Sequence, residues 1–179
     1  MHVFLCGPVH IGKSTAIQKA IQQLSLKYPI QLGGFITYPG LTPDLDIYIS
    51  PAWESKKYHL ENRVAKRNRV SSSPFPQVFD TLGVSILEQS KTHKKNLLCM
   101  DELGFFEKEA YQFQKAVLQC LEEETPILGA VKEAPIPWLD SIKEHPNVEL
   151  ISISLENRDR IPAMIVDILE PSLKKGYSK

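Results

Sequence analysis

The sequence predicts an α/β fold in which a mostly parallel sheet is covered by helices on both faces and carries one antiparallel hairpin. Three observations predict it. Short apolar runs alternate with longer stretches of helical spacing, the pattern of strand–helix–strand units wound in one hand. The first apolar run opens into a glycine-bearing turn and then an amphipathic helix. A second apolar run, far downstream, ends in two adjacent acids.

"HVFLC" (2–6) reads as a buried strand, and a helix follows over about 13–26. Ala16, Ile17, Ala20, Ile21 and Leu24 recur at intervals of three and four, giving that helix one apolar face. "IQLGGFITYP" (30–39) and "LDIYIS" (45–50) read as strands across a "GLTPD" turn. "SSSPFP" (71–76) reads as a loop, and helical spacing resumes at Val78, Leu82, Ile86 and Leu87. "NLLCMDEL" (96–103) is the acid-tipped strand, followed by a helix carrying Phe113, Val117, Leu118 and Leu121. "PILGAVK" (126–132) is a strand, "APIPW" a loop, "VELISIS" (148–154) the last strand and "IPAMIVDILEPSL" the closing helix.

At 179 residues the chain is read as one domain over 1–179, with 53–76 as a candidate lid or basic insertion. Its 42% hydrophobic and 23% charged content is that of an ordinary globular protein. Lysine plus arginine equals aspartate plus glutamate at 21 each, so net charge draws no polyanion, and nucleic acid is not expected as a partner. The three cysteines, Cys6, Cys99 and Cys120, form no CxxC pair; Cys6 and Cys99 lie in apolar runs and read as small buried hydrophobes. An odd, scattered count suits a reducing compartment. No apolar run is long enough to span a membrane, and "VFLC" is too short for a signal peptide, so a cytoplasmic location is expected.

"CGPVHIGKST" (6–15) has the spacing GxxxxGK[ST] between a predicted strand and a predicted helix. At such a junction successive backbone N–H groups converge on one anion, and the helix dipole adds to the field. Gly7 and Gly12 allow the tight turn, while Pro8, Val9, His10 and Ile11 fill positions where only the backbone matters. Lys13 reaches toward the outer phosphates, Ser14 is placed to ligate Mg²⁺, and Thr15 completes the loop. "LLCMDE" supplies a companion. Asp101 emerges at a strand's carboxyl end, where ligands bind in an open α/β sheet and a carboxylate can hold Mg²⁺. Glu102 can orient, or take a proton from, a water attacking the γ-phosphate. Phe105 and Phe106, beside the acids, read as core.

"GPVHIGKST", "GGFIT", "DELGFFE" and "ENRD" occur in the order and spacing of the THEP-type nucleoside triphosphatases, and the chain resembles that family over nearly its whole length. The resemblance implies a three-layer, RecA-like P-loop fold and slow, Mg²⁺-dependent hydrolysis of ATP, GTP and related triphosphates to diphosphate and phosphate. By position it carries the phosphate loop onto Gly7, Gly12, Lys13, Ser14 and Thr15, and the metal and catalytic acids onto Asp101 and Glu102. Glu107 matches the family's later glutamate. Two departures stand in the loop: His10 replaces the usual glycine and Ser14 the usual threonine. After "GFIT" the family has an acidic, arginine-containing segment, whereas "YPGLTPDLDIYIS" has no arginine.

"KKYHLENRVAKRNR" (56–69) carries six lysines or arginines against one glutamate. It reads first as a solvated basic face. The sharper reading uses Arg63, Arg67 or Arg69 to stabilise charge spreading over the γ-phosphoryl oxygens. "ENRDR" (156–160) is expected to open the final helix at the ligand edge, with Asn157 and Arg158 either contacting base or phosphates or serving as cap and surface charge. Lys13 and Glu102 are the catalytic candidates, and Ser14 and Asp101 the metal ligands, of a hydrolase acting on nucleoside triphosphates. The alternatives are a small-molecule or nucleotide kinase, with 53–76 as its lid, and a nucleotide-binding regulatory protein with little turnover. No NKxD guanine-reading motif occurs, which disfavours a GTPase switch.

Overall fold

The computed structural model describes residues 1–41, 46–68 and 70–177, so most of the "GLTPD" turn and Arg69 lie outside the described residues. Among the described residues eight strands form one sheet: β1 His2–Cys6, β2 Leu32–Pro39, β3 Ile47–Pro51, β4 Arg63–Arg67, β5 Ser72–Pro74, β6 Leu97–Leu103, β7 Ile127–Val131 and β8 Val148–Ser152. The helices are α1 Lys13–Lys27, α2 Pro76–Val78, α3 Val84–Thr92, α4 Tyr111–Leu121, α5 Pro137–Lys143 and α6 Ile161–Tyr177, with a π-helical turn at Phe79–Gly83 between α2 and α3. The spatial order is β5-β4-β3-β2-β6-β7-β1-β8. β2, β6, β7, β1 and β8 are parallel, and β3, β4 and β5 extend the sheet antiparallel from β2.

The pleat of β1 divides the core in two. Val3 and Leu5 face a cluster built from α1 and α6, including Ala16, Ile17, Leu24, Ile161, Ile165 and Leu169. Phe4 and Cys6 face the other cluster, where Phe35, Phe79 and Phe113 meet with ring centroids 5.1–5.2 Å apart. Each such aromatic pair adds about 1 kcal/mol beyond the area it buries. All three cysteines are free and buried, as small hydrophobes. Among the described residues no helix is long and apolar enough to cross a membrane.

Gly34 shows why β2 can lie so close to β6. Its φ is +81°, and an added Cβ would meet the Cys99 carbonyl oxygen, so only glycine satisfies both the backbone turn and the approach. Its N–H donates to Ser90 Oγ at 2.9 Å, which ties α3 to the strand. The "GG" of "GGFIT" is therefore a packing device, and what it packs is the strand bearing the acids.

Three expectations need correction. The "SSSPFP" stretch is not wholly loop: Ser72–Pro74 pairs with β4 as the outermost strand, where a proline costs no ladder bond on the open side. "APIPW" is not wholly loop either, because Pro137 occupies the first turn of α5 and sends Trp138, Leu139 and Ile142 into the core. The last strand ends at Ser152, and residues 155–160 form turns before α6 begins at Ile161, so "ENRDR" precedes the helix rather than opening it.

Candidate active site

The phosphate-type loop joins β1 to α1 through backbone that few side chains tolerate. Gly7 and Gly12 have φ of +154° and +110°, and His10 takes φ 63° without being glycine. Histidine tolerates this left-handed region better than most residues, and its side chain is exposed to solvent. The amides of Val9, His10, Gly12, Lys13, Ser14 and Thr15 have no acceptor within the described chain; the first helical bond runs from Ala16 N–H to the Gly12 carbonyl at 2.9 Å. They are the free donors of a helix start, concentrated by the turn. Pro8 brings no N–H, so it subtracts nothing from that set. Ile11 is half-buried and packs against the α1 side of the core.

Lys13 is only 5% exposed. Its ammonium donates to the carbonyls of Gly7 at 2.9 Å and Pro8 at 3.1 Å, lying along the inner wall of the loop.

The acids arrive from β6. Leu97 and Cys99 face the α1 side of the sheet, and Asp101, two residues beyond, is turned the same way by the pleat. That places its carboxylate beside the Ser14 hydroxyl, which stabilises the charged form. Burial is the larger influence and pushes Asp101 up to about 6, with the Glu102 charge adding to the rise and Lys13 and Lys56 opposing it. Asp101 Oδ1 and Glu102 Oε1 are buried and meet no hydrogen-bond partner. The Asp101–Glu102 peptide is cis.

Thr37 is the site residue that sequence reasoning missed. Its hydroxyl donates to the Asp101 carbonyl at 3.3 Å and accepts from the Glu102 N–H at 3.1 Å. The pairing of Ile36 with Asp101 across β2 and β6 puts it there. The signal was present in "GGFIT", but its meaning depends on which strand lies beside β6.

Glu107 is wholly buried and accepts from the Gly104 N–H at 2.9 Å, closing the turn after the acids. Burial pushes it up to about 7, against the pull of the Gly104 amide and the Lys132 charge. Because this lies above the ordinary 4.5, the folded protein holds the proton more tightly than the unfolded chain. The stability it lends is complete below about pH 4.5 and is lost as pH rises through 7. Glu107→Gln keeps an acceptor for Gly104 and removes the buried charge. It is expected to raise Tm by several degrees at pH 8 and to make the decline of Tm between pH 4.5 and 7 shallower, as thermal melts across that range would record. Phe105 corrects another expectation: it is 55% exposed rather than core, with Lys132 Nζ 5.6 Å from its ring centre, while Phe106 is half-buried.

The structure brings Lys13 and Ser14, at the start of the helix after β1, and Asp101 and Glu102, on β6, to one end of the sheet, with β7 between the two strands. Asn157 and Arg158 lie in the turn that follows Ile153, whose N–H bonds the Cys6 carbonyl at 2.9 Å. Asn157 closes that turn by accepting from Ser154 N–H at 2.8 Å and donating to the Ser152 carbonyl at 2.9 Å. Arg158 is exposed. Arg63 and Arg67 stand apart on β4. Arg63 is paired with Asp46 at 2.8 Å, and the Arg67 amide bonds the same carboxylate at 3.2 Å.

A glycine turn feeding a helix, faced by strand-end acids across a mostly parallel sheet, defines a P-loop NTPase fold of the RecA-like kind. The family model described as NTPase matches residues 2–166, and the chain belongs to this family, that of the THEP-type nucleoside triphosphatases. It is similar to the cancer-related nucleoside-triphosphatase homolog of Mus musculus, at 27% identity over 96% of this chain and 97% of that protein. It is also similar to nucleoside-triphosphatase THEP1 of Aquifex aeolicus, at 26% identity over 95% of this chain and 99% of that one. Among solved structures, the crystal structure of THEP1 from Aquifex aeolicus matches with a TM-score of 0.75 at 23% identity, covering 95% of this chain and 99% of that chain. The solution structure of a human cancer-related nucleoside triphosphatase matches with a TM-score of 0.69 at 22% identity, covering 96% and 98%.

Proposed function

We propose that this chain hydrolyses nucleoside triphosphates, ATP and GTP among them, to the diphosphate and phosphate with Mg²⁺. The observation that carries the reading is the meeting of Ser14 and Asp101, one from the loop helix and one from β6, with Glu102 beside them. The site's chemistry fits Mg²⁺: a hydroxyl and a carboxylate are hard oxygen donors, and Asp101 Oδ1 has no protein partner. Ser14 and Asp101 would hold the ion, which would neutralise charge on the phosphate oxygens.

The chain's own groups supply the rest. The loop amides and Lys13 bind the triphosphate tail, with Lys13 giving up the Gly7 and Pro8 carbonyls for phosphate oxygens. Glu102 orients a water and takes its proton as the water oxygen bonds to the γ-phosphorus. The bond from phosphorus to the bridging oxygen breaks, and the diphosphate leaves with those electrons. Thr37 holds the Asp101–Glu102 backbone still while this happens. Asn157 and Arg158, in the turn after β8, are assigned to the nucleoside, a reading supported by the Ile153 N–H bond to the Cys6 carbonyl that ties the start of this segment to the end of β1. We place the activity on free nucleotides in the cytoplasm, a reading supported by three unpaired, buried cysteines.

Phosphate release measured with malachite green across ATP, GTP, CTP and UTP, with and without Mg²⁺, tests the reading. Release that needs Mg²⁺ and no acceptor supports it. Diphosphate that forms only when a nucleoside or monophosphate acceptor is added, with no free phosphate, would replace it with a kinase, and formation of neither product would end it. Asp101 titrates near pH 6 and binds cations only when ionised, so kcat/KM is expected to fall about tenfold per pH unit below about pH 6.

A further inference from the structure

Phosphoryl transfer spreads negative charge over the γ-phosphoryl oxygens, and a cation beyond the loop lysine commonly meets it. The arginines of the basic segment are poorly placed for this. Arg63 is held by Asp46 and lies 5.3 Å from the centre of the Phe75 ring, and Arg67 follows it along β4. One other cation of the segment is placed differently.

We propose that Lys56 is the cation that meets the γ-phosphoryl group, carried to the site edge on the face of Tyr38. The inference rests on the hydrolytic reading above. A continuous set of contacts links the acids to this lysine. Thr37 bonds the backbone of Asp101 and Glu102, and Tyr38 is the next residue along β2. The Tyr38 ring is fixed by stacking with Tyr48 at 6.3 Å and by an edge contact with Tyr58 at 5.5 Å. Its hydroxyl accepts from Lys57 N–H at 2.8 Å and donates to the Lys57 carbonyl at 2.7 Å, which pins the backbone next to Lys56. Asn62 secures the same carbonyl from Nδ2 at 2.9 Å.

On this anchored backbone Lys56 Nζ sits 5.0 Å over the Tyr38 ring centre. Among the described residues no carboxylate pairs with it, whereas its neighbour Lys57 is taken by Glu54 at 2.6 Å. β2 pairs with β6 in the register Ile36 to Asp101, so Tyr38 stands at the same end of the sheet as the acids. An unpaired ammonium held on an aromatic face, at the edge where both acids emerge, suits an anion that gains charge as it reacts. Lys56 takes no part in bond making. It neutralises the oxygens while the water–phosphorus bond forms and the bridging bond breaks.

Two variants and two measurements test this. Lys56→Met is expected to lower kcat/KM on the order of 100-fold, through both kcat and KM, and Lys56→Arg to recover most of the loss. Lys56→Met should also lose the parent's preference for a nonhydrolysable triphosphate over the diphosphate, read by calorimetry, with an unchanged Tm because the side chain is exposed. Parental kcat/KM and parental preference in Lys56→Met would overturn the inference while leaving the hydrolytic reading intact. A parent that releases no phosphate would instead remove the hydrolytic reading, and the binding preference would still decide whether Lys56 meets the γ-phosphate.

Discussion

Lys13→Ala is expected to weaken nucleoside triphosphate binding by about 4 kcal/mol, roughly 10³-fold in Kd, which calorimetry or a fluorescent nucleotide would measure. The physical reason is position as well as charge. The ammonium is buried against the loop's own carbonyls, so nothing need travel to form the complex: it exchanges Gly7 and Pro8 oxygens for phosphate oxygens within one loop. Alanine leaves the two carbonyls without that donor and the phosphates without a charge in contact. Lys13→Arg is expected to recover little, because a planar fork does not fit the narrow path that a single point charge takes. Binding at parental affinity in Lys13→Ala would remove the loop from the site.

Glu102→Gln separates chemistry from binding. Glutamine has the same shape and cannot accept a proton, so kcat is expected to fall on the order of 10³-fold while triphosphate affinity stays within about threefold. The local environment makes the change clean. Glu102 is anchored through its backbone N–H to Thr37, not through its carboxylate, so the substitution leaves the strand in place. Its Oε1 has no protein partner, as befits a group whose partner is a water. Phosphate release at the parental rate would assign the base elsewhere.

Much of the site is legible in the amino-acid sequence. The loop needs only two glycines, a lysine and a hydroxyl at fixed spacing, and the strand and helix around it declare themselves through the apolar run at 2–6 and the recurrence from Ala16 to Leu24. Asp101 and Glu102 announce themselves as the polar end of an apolar strand. Each depends on contacts within a few residues of chain. β4 is illegible for the opposite reason. Only Val64 and Ala65 in "RVAKR" are buried, and the surrounding cations mask a strand that exists because β3 offers it an edge. Thr37 and Lys56 are silent in the same way. Neither residue type at that spacing means anything until β2 is known to lie beside β6.

The sequence by itself therefore determined the class of fold, the phosphate-type loop and the paired acids, because backbone turn and hydrophobic period are local properties. The tertiary structure alone decided that Ser14 meets Asp101 across an intervening strand, that Thr37 braces the acids, and that Arg63 is taken by Asp46. Those facts depend on strand order and register, and order is set by how the whole sheet buries both faces, a sum over distant residues that no short stretch encodes.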